Sequence, residues 1–188
     1  MPHYGFHVTE PLEIHTARPD EAAFIGRIYD EGIADGNATF ATGPHPVEER
    51  ERWLAARPSN APVFCAHLAG APLGWSALAP FSHRPWYAGV AEYTVYVARE
   101  ARGAGVGGQL LAHLLAAAPG YGYWKLVGLI LAENEPGLRL AHAHGFRTVG
   151  THLANGTLGG HWRDVTLVER HLAMPDDAGS VEELRAPR

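Results

Sequence analysis

One stretch of this 188-residue chain restricts its fold more than any other: Arg102-Gly103-Ala104-Gly105-Val106-Gly107-Gly108. Before it, Ala91–Val97 alternates with the period of a strand, placing Glu92, Thr94 and Tyr96 on one face and Tyr93, Val95 and Val97 on the other. After it, Val106, Leu110, Leu114 and Ala118 form the apolar stripe of a helix running through Ala118. Glycines at a strand-to-helix junction expose backbone N–H groups, and the helix start adds positive potential, so the segment reads as a phosphate cradle. A Walker nucleotide loop is excluded, because no Gly-Lys-Ser/Thr follows. Two ligands remain open on these residues, a dinucleotide and the pyrophosphate of coenzyme A, beside a loop whose glycines serve turn geometry alone. Gly103, Gly105 and Gly108 satisfy G-x-G-x-x-G by letter, and Glu133 ends the next strand about where a ribose-binding acid would sit. Against a dinucleotide fold, the motif lies mid-chain and leaves little chain for a second half and a substrate domain.

Strand and helix signals alternate around this junction. Leu12–Thr16 reads as a short strand, and Pro19-Asp20-Glu21 opens a helix with Asp20 as N-cap and Ile25, Ile28, Tyr29 and Ile33 as its stripe. Asp35–Pro46 reads as loop, Pro46 suits the first turn of a second helix, and Pro58 ends it. Val63–Leu68 and Leu73–Leu78 form a hairpin about Ala69-Gly70-Ala71-Pro72, and Pro80–Gly89 is a loop rich in proline and aromatics. Leu126–Leu131 is a buried strand, Asn134–His144 a helix ended by Gly145, and Arg147–Asn155 with Trp162–Leu172 two strands about a glycine-rich turn. The pattern predicts an α/β fold with antiparallel and parallel strand pairs. Residues 12–172 form one domain between an N-terminal extension (1–11) and a polar C-terminal tail (173–188).

Composition narrows the function classes. An apolar share of 46% suits one compact core. A net charge of -5 argues against a nucleic-acid or anionic-membrane partner, since phosphate neutralisation needs clustered Lys and Arg. No apolar run reaches the roughly 18 residues of a membrane span. The start, MPHYGFHVTEPLE, has neither the basic nor the apolar segment of a signal peptide. The single cysteine, Cys65, sits among Val63, Phe64 and Ala66 as a buried strand thiol suited to a reducing cytoplasm. Twelve histidines raise the question of a metal. They scatter over separate elements, and the one tight pair, His142-x-His144, has no acidic or thiol neighbour at ligand spacing, so no metal is expected.

Tyr93-Thr94-Val95-Tyr96-Val97 followed by Arg102-Gly103-Ala104-Gly105-Val106-Gly107 resembles the acetyl-CoA motif of the GNAT superfamily of N-acetyltransferases, R/Q-x-x-G-x-G/A. Ile28-Tyr29, Ala38-Thr39-Phe40, Pro46–Arg50, Arg84-Pro85, Asn134-Glu135-Pro136, Gly145-Phe146 and Gly156…Trp162-Arg163-Asp164-Val165 follow in the order seen in its phosphinothricin and methionine sulfone N-acetyltransferases. The resemblance covers residues 12–172. It implies a mixed sheet of about seven strands with about four helices, a homodimer, and acetyl transfer from acetyl-CoA to the primary amine of a small amino-acid-like acceptor. It also implies roles. Val95, Tyr96 and Val97 would pair with the pantetheine arm, Arg102, Gly103, Ala104, Gly105, Val106, Gly107 and Gly108 would hold the pyrophosphate, and Asn134 would contact the pantetheine. Glu92 would be the general base, and Tyr29, Phe40, Phe81, Ser82 and Arg84 would shape the acceptor site. Glu92, Asn134 and Tyr29 each also carry a purely structural reading, as a salt-bridged surface acid, a helix N-cap and a core aromatic.

The chain departs from those relatives at several positions. Ala141 stands where many members carry a Tyr acid for the departing thiolate. Ser82 replaces Lys or Arg, Leu158 replaces Lys, His161 replaces Arg and Gly137 replaces Ser. Other acceptors in the same fold (a polyamine, an antibiotic amine, a peptide N-terminus) and a non-catalytic acyl-CoA sensor stand as alternatives.

Overall fold

The computed structural model describes residues 12–172; the predicted extension and tail lie outside the described residues. In chain order the elements are β1 (Glu13–Thr16), α1 (Ala22–Asp35), α2 (Val47–Ala55), β2 (Val63–Leu68), β3 (Ala71–Pro80), β4 (Val90–Val97), α3 (Val106–Ala117), β5 (Lys125–Leu131), α4 (Glu135–Ala143), β6 (Arg147–Leu158) and β7 (His161–His171). The seven strands form one sheet in the order β1-β2-β3-β4-β5-β7-β6. Every neighbouring pair is antiparallel except β4 with β5. That single parallel pair excludes the doubly wound parallel sheet on which the dinucleotide alternative rested.

The helix starts differ from expectation in an instructive way. Asp20 is not the N-cap of the first helical segment. A 3₁₀ turn at Pro19–Glu21 precedes α1, and Glu21 turns back to accept from the Arg18 backbone N–H at 2.6 Å. A longer carboxylate reaches the orphan N–H where Asp20 points to solvent. Glu21 also meets His15 at 3.0 Å, His67 at 3.4 Å and Arg18 at 3.2 Å, a cluster that occupies three of the chain's unexplained polar side chains at the base of α1. Pro46 stands one position before its predicted place, as the N-cap of α2 rather than its first helical residue. The β2–β3 turn is Ala69-Gly70 alone, both at positive φ, so β3 begins at Ala71. This is the tight turn whose twist suits a hairpin. β6 likewise continues past Asn155 to Leu158, because only Gly159-Gly160 carry the reversal.

α3 ties the core together. Val106 and Leu110 pack with Ile25, Ile28, Cys65 and Trp75, while Leu111 and Leu114 pack with Leu78, Tyr93, Leu126 and Phe146. Each fully buried aliphatic side chain here contributes about 1.5–3 kcal/mol of transfer free energy. With α3 fixed across β3 and β4, the backbone that enters it from β4 is held at one place.

β4 and β5 pair over three positions only, Val90↔Lys125, Ala91↔Leu126 and Glu92↔Val127. Beyond Glu92, β4 continues along β3 as far as Val97↔Gly74, and β5 continues along β7 as far as Leu131↔Val165. The sheet therefore opens into a V whose closed end is at Val90–Glu92. Glu169 of β7 clamps that end, pairing with Lys125 of β5 and Arg147 of β6 while itself only 6% exposed.

Burial of Glu169 opposes its ionisation, and Lys125 and Arg147 outweigh that, holding its carboxyl below the ordinary range. A depressed folded value means a contribution present above the unfolded value of about 4.3 and lost as the pH falls through the folded one. Glu169→Gln should therefore lower unfolding free energy by about 2–4 kcal/mol at pH 7. In urea titrations the gap to wild type should close as the pH drops below about 4; a gap that persists unchanged at low pH would show that charge is not its source.

Candidate active site between two diverging strands

The V encloses a cleft of about 860 Å³. Glu92, Thr94, Val95 and Tyr96 of β4 form one wall, and Leu129, Ile130 and Leu131 of β5 the other. Past Glu92 the facing edges of these two strands have no strand partner. Unpaired backbone groups inside a structure demand water or a ligand, and an extended ligand can meet them as an added strand would.

Glu92 stands where the strands part. It is half-buried, and among the described residues it makes no ion pair and no side-chain hydrogen bond. Burial raises its carboxyl above the ordinary carboxylate value. The surface, salt-bridged reading of Glu92 thus does not hold. A carboxylate desolvated by its surroundings and spared a cation is a stronger base than one on the surface.

An aromatic floor lies beside it. Tyr96 stacks on Trp75 at 5.0 Å, and Tyr29 meets Tyr96 edge-on at 5.1 Å. Their hydroxyls hold the segment after α1: Tyr96 donates to the Ala38 carbonyl at 3.2 Å, and Tyr29 bonds the Thr39 hydroxyl at 2.9 Å. Tyr29 therefore serves both core and cleft. This fixed segment carries Phe40 into the cleft against β6, where a Cβ on Gly156 would stand 2.7 Å from the Phe40 ring. Gly156 is a strand residue admitted by that close approach and not a turn residue.

The glycine loop leaves the open end of the V. Gly103 and Gly105 both have positive φ (78° and 91°), which side chains other than glycine adopt at a cost. Gly105 caps α3 with no side-chain bond, and the N–H groups of Gly105, Val106, Gly107 and Gly108 have no backbone acceptor among the described residues. Open space over both loop glycines and a row of orphan donors at a twelve-residue helix fit a pyrophosphate. Arg102 does something else within this loop. It pairs with Asp35 at the end of α1 and donates from Nε to the Val97 carbonyl at 3.1 Å, bracing the loop against β4. A Cβ on Gly107 would stand 3.4 Å from the Val97 side chain.

Asn134 lines the cleft and also caps α4, accepting from the Gly137 N–H at 3.0 Å. Phe81, Ser82 and Arg84 do not line the cleft. Their loop joins β3 to β4 ahead of Val90, at the closed end of the V, and it is tied to itself: the Arg84 N–H donates to Ser82 Oγ at 3.3 Å and Phe81 packs edge-on against Tyr87. Glu133, the ribose-acid candidate, pairs instead with Arg163 at 3.4 Å. His142 bonds Thr148 and His144 the Leu140 carbonyl, so both are spent on packing α4. Residues that pattern reading missed are Arg50 and Trp53 of α2, with Asn155 and Thr157 of β6. Arg50 hides among Glu48, Glu49, Glu51 and Arg52, a run that reads as a solvated helix face; its one signal is the three-residue spacing from Trp53.

Residues 25–146 match the acetyltransferase (GNAT) family. The chain belongs to that family. Phosphinothricin N-acetyltransferase of Streptomyces coelicolor is 34% identical over 168 residues, spanning 87% of this chain and 98% of that protein. The L-methionine sulfoximine/L-methionine sulfone acetyltransferase of Pseudomonas paraeruginosa is 29% identical, spanning 77% of this chain and 86% of its own. A GNAT superfamily phosphinothricin acetyltransferase from Sinorhizobium meliloti, solved in complex with AcCoA, superposes with a TM-score of 0.82 at 26% identity, covering 90% of this chain and 95% of that one. This GNAT enzyme is thus an N-acetyltransferase with acetyl-CoA as its acetyl donor. Its seven-stranded mixed sheet and four α-helices are the architecture the resemblance implied.

Gly156→Ala would drive Phe40 out of the cleft at an overpacking cost of about 1–3 kcal/mol. Steady-state kinetics should show the KM for the acceptor rising about fivefold or more while the KM for acetyl-CoA holds. A rise in the acetyl-CoA KM instead would put Phe40 outside the acceptor half.

Proposed function

We propose that this N-acetyltransferase acts on the primary amine of a small amino-acid-like acceptor of the phosphinothricin or methionine sulfone type, by direct attack, with Glu92 as general base. The observation that carries this reading is the half-buried, unpaired carboxylate of Glu92 at the point where β4 leaves β5. The alkylamine of Lys has a pKa of about 10.4, so an acceptor amine arrives as an ammonium at neutral pH. Glu92 attracts that ammonium, takes one proton from its nitrogen directly or through one water, and leaves a lone pair for attack. Acetyl-CoA supplies the acyl carbon on a thiol leaving group; the new N–C bond replaces the C–S bond, and the second amine proton leaves to solvent.

The remaining roles fall to backbone. The unpaired edge of Val95 and its neighbours suits the pantetheine arm and offers N–H groups to the carbonyl oxygen as charge develops on it. Orphan donors from Gly105 to Gly108 suit the pyrophosphate. Ala141 is fully buried and inert, so the thiolate leaves with no acid from that position.

Two broader expectations belong to the same reading. A homodimer is supported by Leu153 and Trp162 of the β6–β7 hairpin, 76% and 69% exposed, which a second copy would cover. A cytoplasmic site of work is supported by the buried thiol of Cys65.

Glu92→Gln should lower kcat by about a hundredfold or more while leaving the Kd for acetyl-CoA unchanged. In wild type, activity should rise with pH through a value above the ordinary carboxylate range, because the raised pKa of Glu92 delays formation of the base. That limb should vanish in Glu92→Gln, leaving only the amine's own ionisation. Retention of the limb would assign it to another group.

A further inference from the structure

Arg50 is the outstanding unexplained charge of this molecule. It is 7% exposed, and it lines the same cleft as Glu92. Its guanidinium lies 4.7 Å from the centre of the Tyr29 ring and 4.9 Å from that of Trp53. Among the described residues it has no carboxylate partner and no side-chain hydrogen bond, and its buried Nε is unsatisfied. The acidic neighbours on its own helix, Glu48, Glu49 and Glu51, are exposed and do not reach it. Apart from Glu92, the other strongly buried charges among the described residues have partners. Glu21 and Glu169 are paired, and Arg57 spends its guanidinium on the Ala61 and Leu78 carbonyls.

The Arg50 charge has a desolvated Nε and no anion beside it, and aromatic faces compensate only in part. A ligand that brings an anion would complete the pairing of such a group. The planar fork of arginine matches a carboxylate with two parallel hydrogen bonds. The opposite charge, Glu92, lines the same cleft on β4, and the Tyr29 ring that Arg50 covers meets Tyr96 of that strand edge-on.

We propose that Arg50 is the carboxylate subsite of the acceptor, so that the cleft reads an α-amino acid at both ends, ammonium at Glu92 and carboxylate at Arg50. The proposal rests on the acceptor reading above and sharpens it. A polyamine or a peptide N-terminus has no α-carboxylate to offer, and either would leave Arg50 unpaired. The position also answers for the missing cations at Ser82 and Leu158. Charge for the acceptor's acid end would then come from α2, on the cleft side of the floor.

The test is calorimetric binding in saturating CoA, which forbids turnover, with L-methionine sulfone and its carboxamide as probes. Wild type should bind the carboxylate about tenfold to a hundredfold more tightly than the carboxamide. Arg50→Met should bring that ratio close to one, and Arg50→Lys, which keeps the charge without the fork, should retain part of it. CoA binding reports that each variant is folded, and the Lys variant decides the question if the Met variant is not. Three results would overturn the proposal: a wild-type ratio near one, including failure to bind the carboxylate; an unchanged ratio in Arg50→Met; or an equal loss for both probes, the mark of a structural role. Thiol release from acetyl-CoA with the same probes separates the two readings. Release with no carboxylate preference removes the subsite and leaves N-acetylation standing. Preference in binding with no release does the reverse.

Discussion

The brevity of one strand pairing shapes everything else in this molecule. β4 and β5 share three positions and then part, each kept in the sheet by its other neighbour. A fully zipped pair would satisfy its own backbone and leave no room; strands parted from the start would lose the sheet. Parting at Glu92 yields a cleft with polar edges inside an otherwise continuous fold. It also sets a carboxylate at the apex, where the flanking strands desolvate it. The Glu169 clamp on β5 and β6 and the packing of α3 on β3 and β4 fix the two arms of the V independently. The cleft is therefore preorganised and does not wait on a ligand to be formed.

The two ends of the cleft follow different physics. At the open end the donors are backbone N–H groups at the start of α3, where glycine is required by positive φ at Gly103 and Gly105 and where no side chain competes for the anion. Around Glu92 the groups are side chains on an aromatic floor, the half-buried Glu92 carboxylate and the Arg50 guanidinium. A net charge of -5 says nothing of this arrangement. Glu48, Glu49 and Glu51 lie exposed on α2, whereas Glu92 and Arg50 line the cleft with no ion-pair partner among the described residues.

Local pattern carried the order of elements well. The alternation of Ala91–Val97, the glycine loop and the stripe from Val106 define the β4–α3 junction without help from the rest of the chain. Errors fell where one residue competes with its neighbour for the same job. Glu21 took the capping contact from Asp20, and Gly159-Gly160 took the reversal that left Gly156 in a strand. The cleft was less legible because it is assembled from α1, α2, β4, β5 and β6, and no spacing along the chain records which side chains meet. Arg50 illustrates the limit. In a run of alternating charges it reads as solvated, and only its position between Tyr29 of α1 and its own helix neighbour Trp53 shows that it is not. The loop holding Phe81, Ser82 and Arg84, which the resemblance places at the acceptor site, is not among the residues that line the cleft.

The function proposed for this enzyme requires both substrates to meet where β4 leaves β5. A crystal structure of the enzyme with CoA and L-methionine sulfone tests it most directly. The thiol end of CoA should lie between Val95 and Leu129, with the acceptor nitrogen within hydrogen-bond reach of Glu92, directly or through one water. An acceptor bound outside the V, or with its nitrogen turned away from Glu92, would contradict the account.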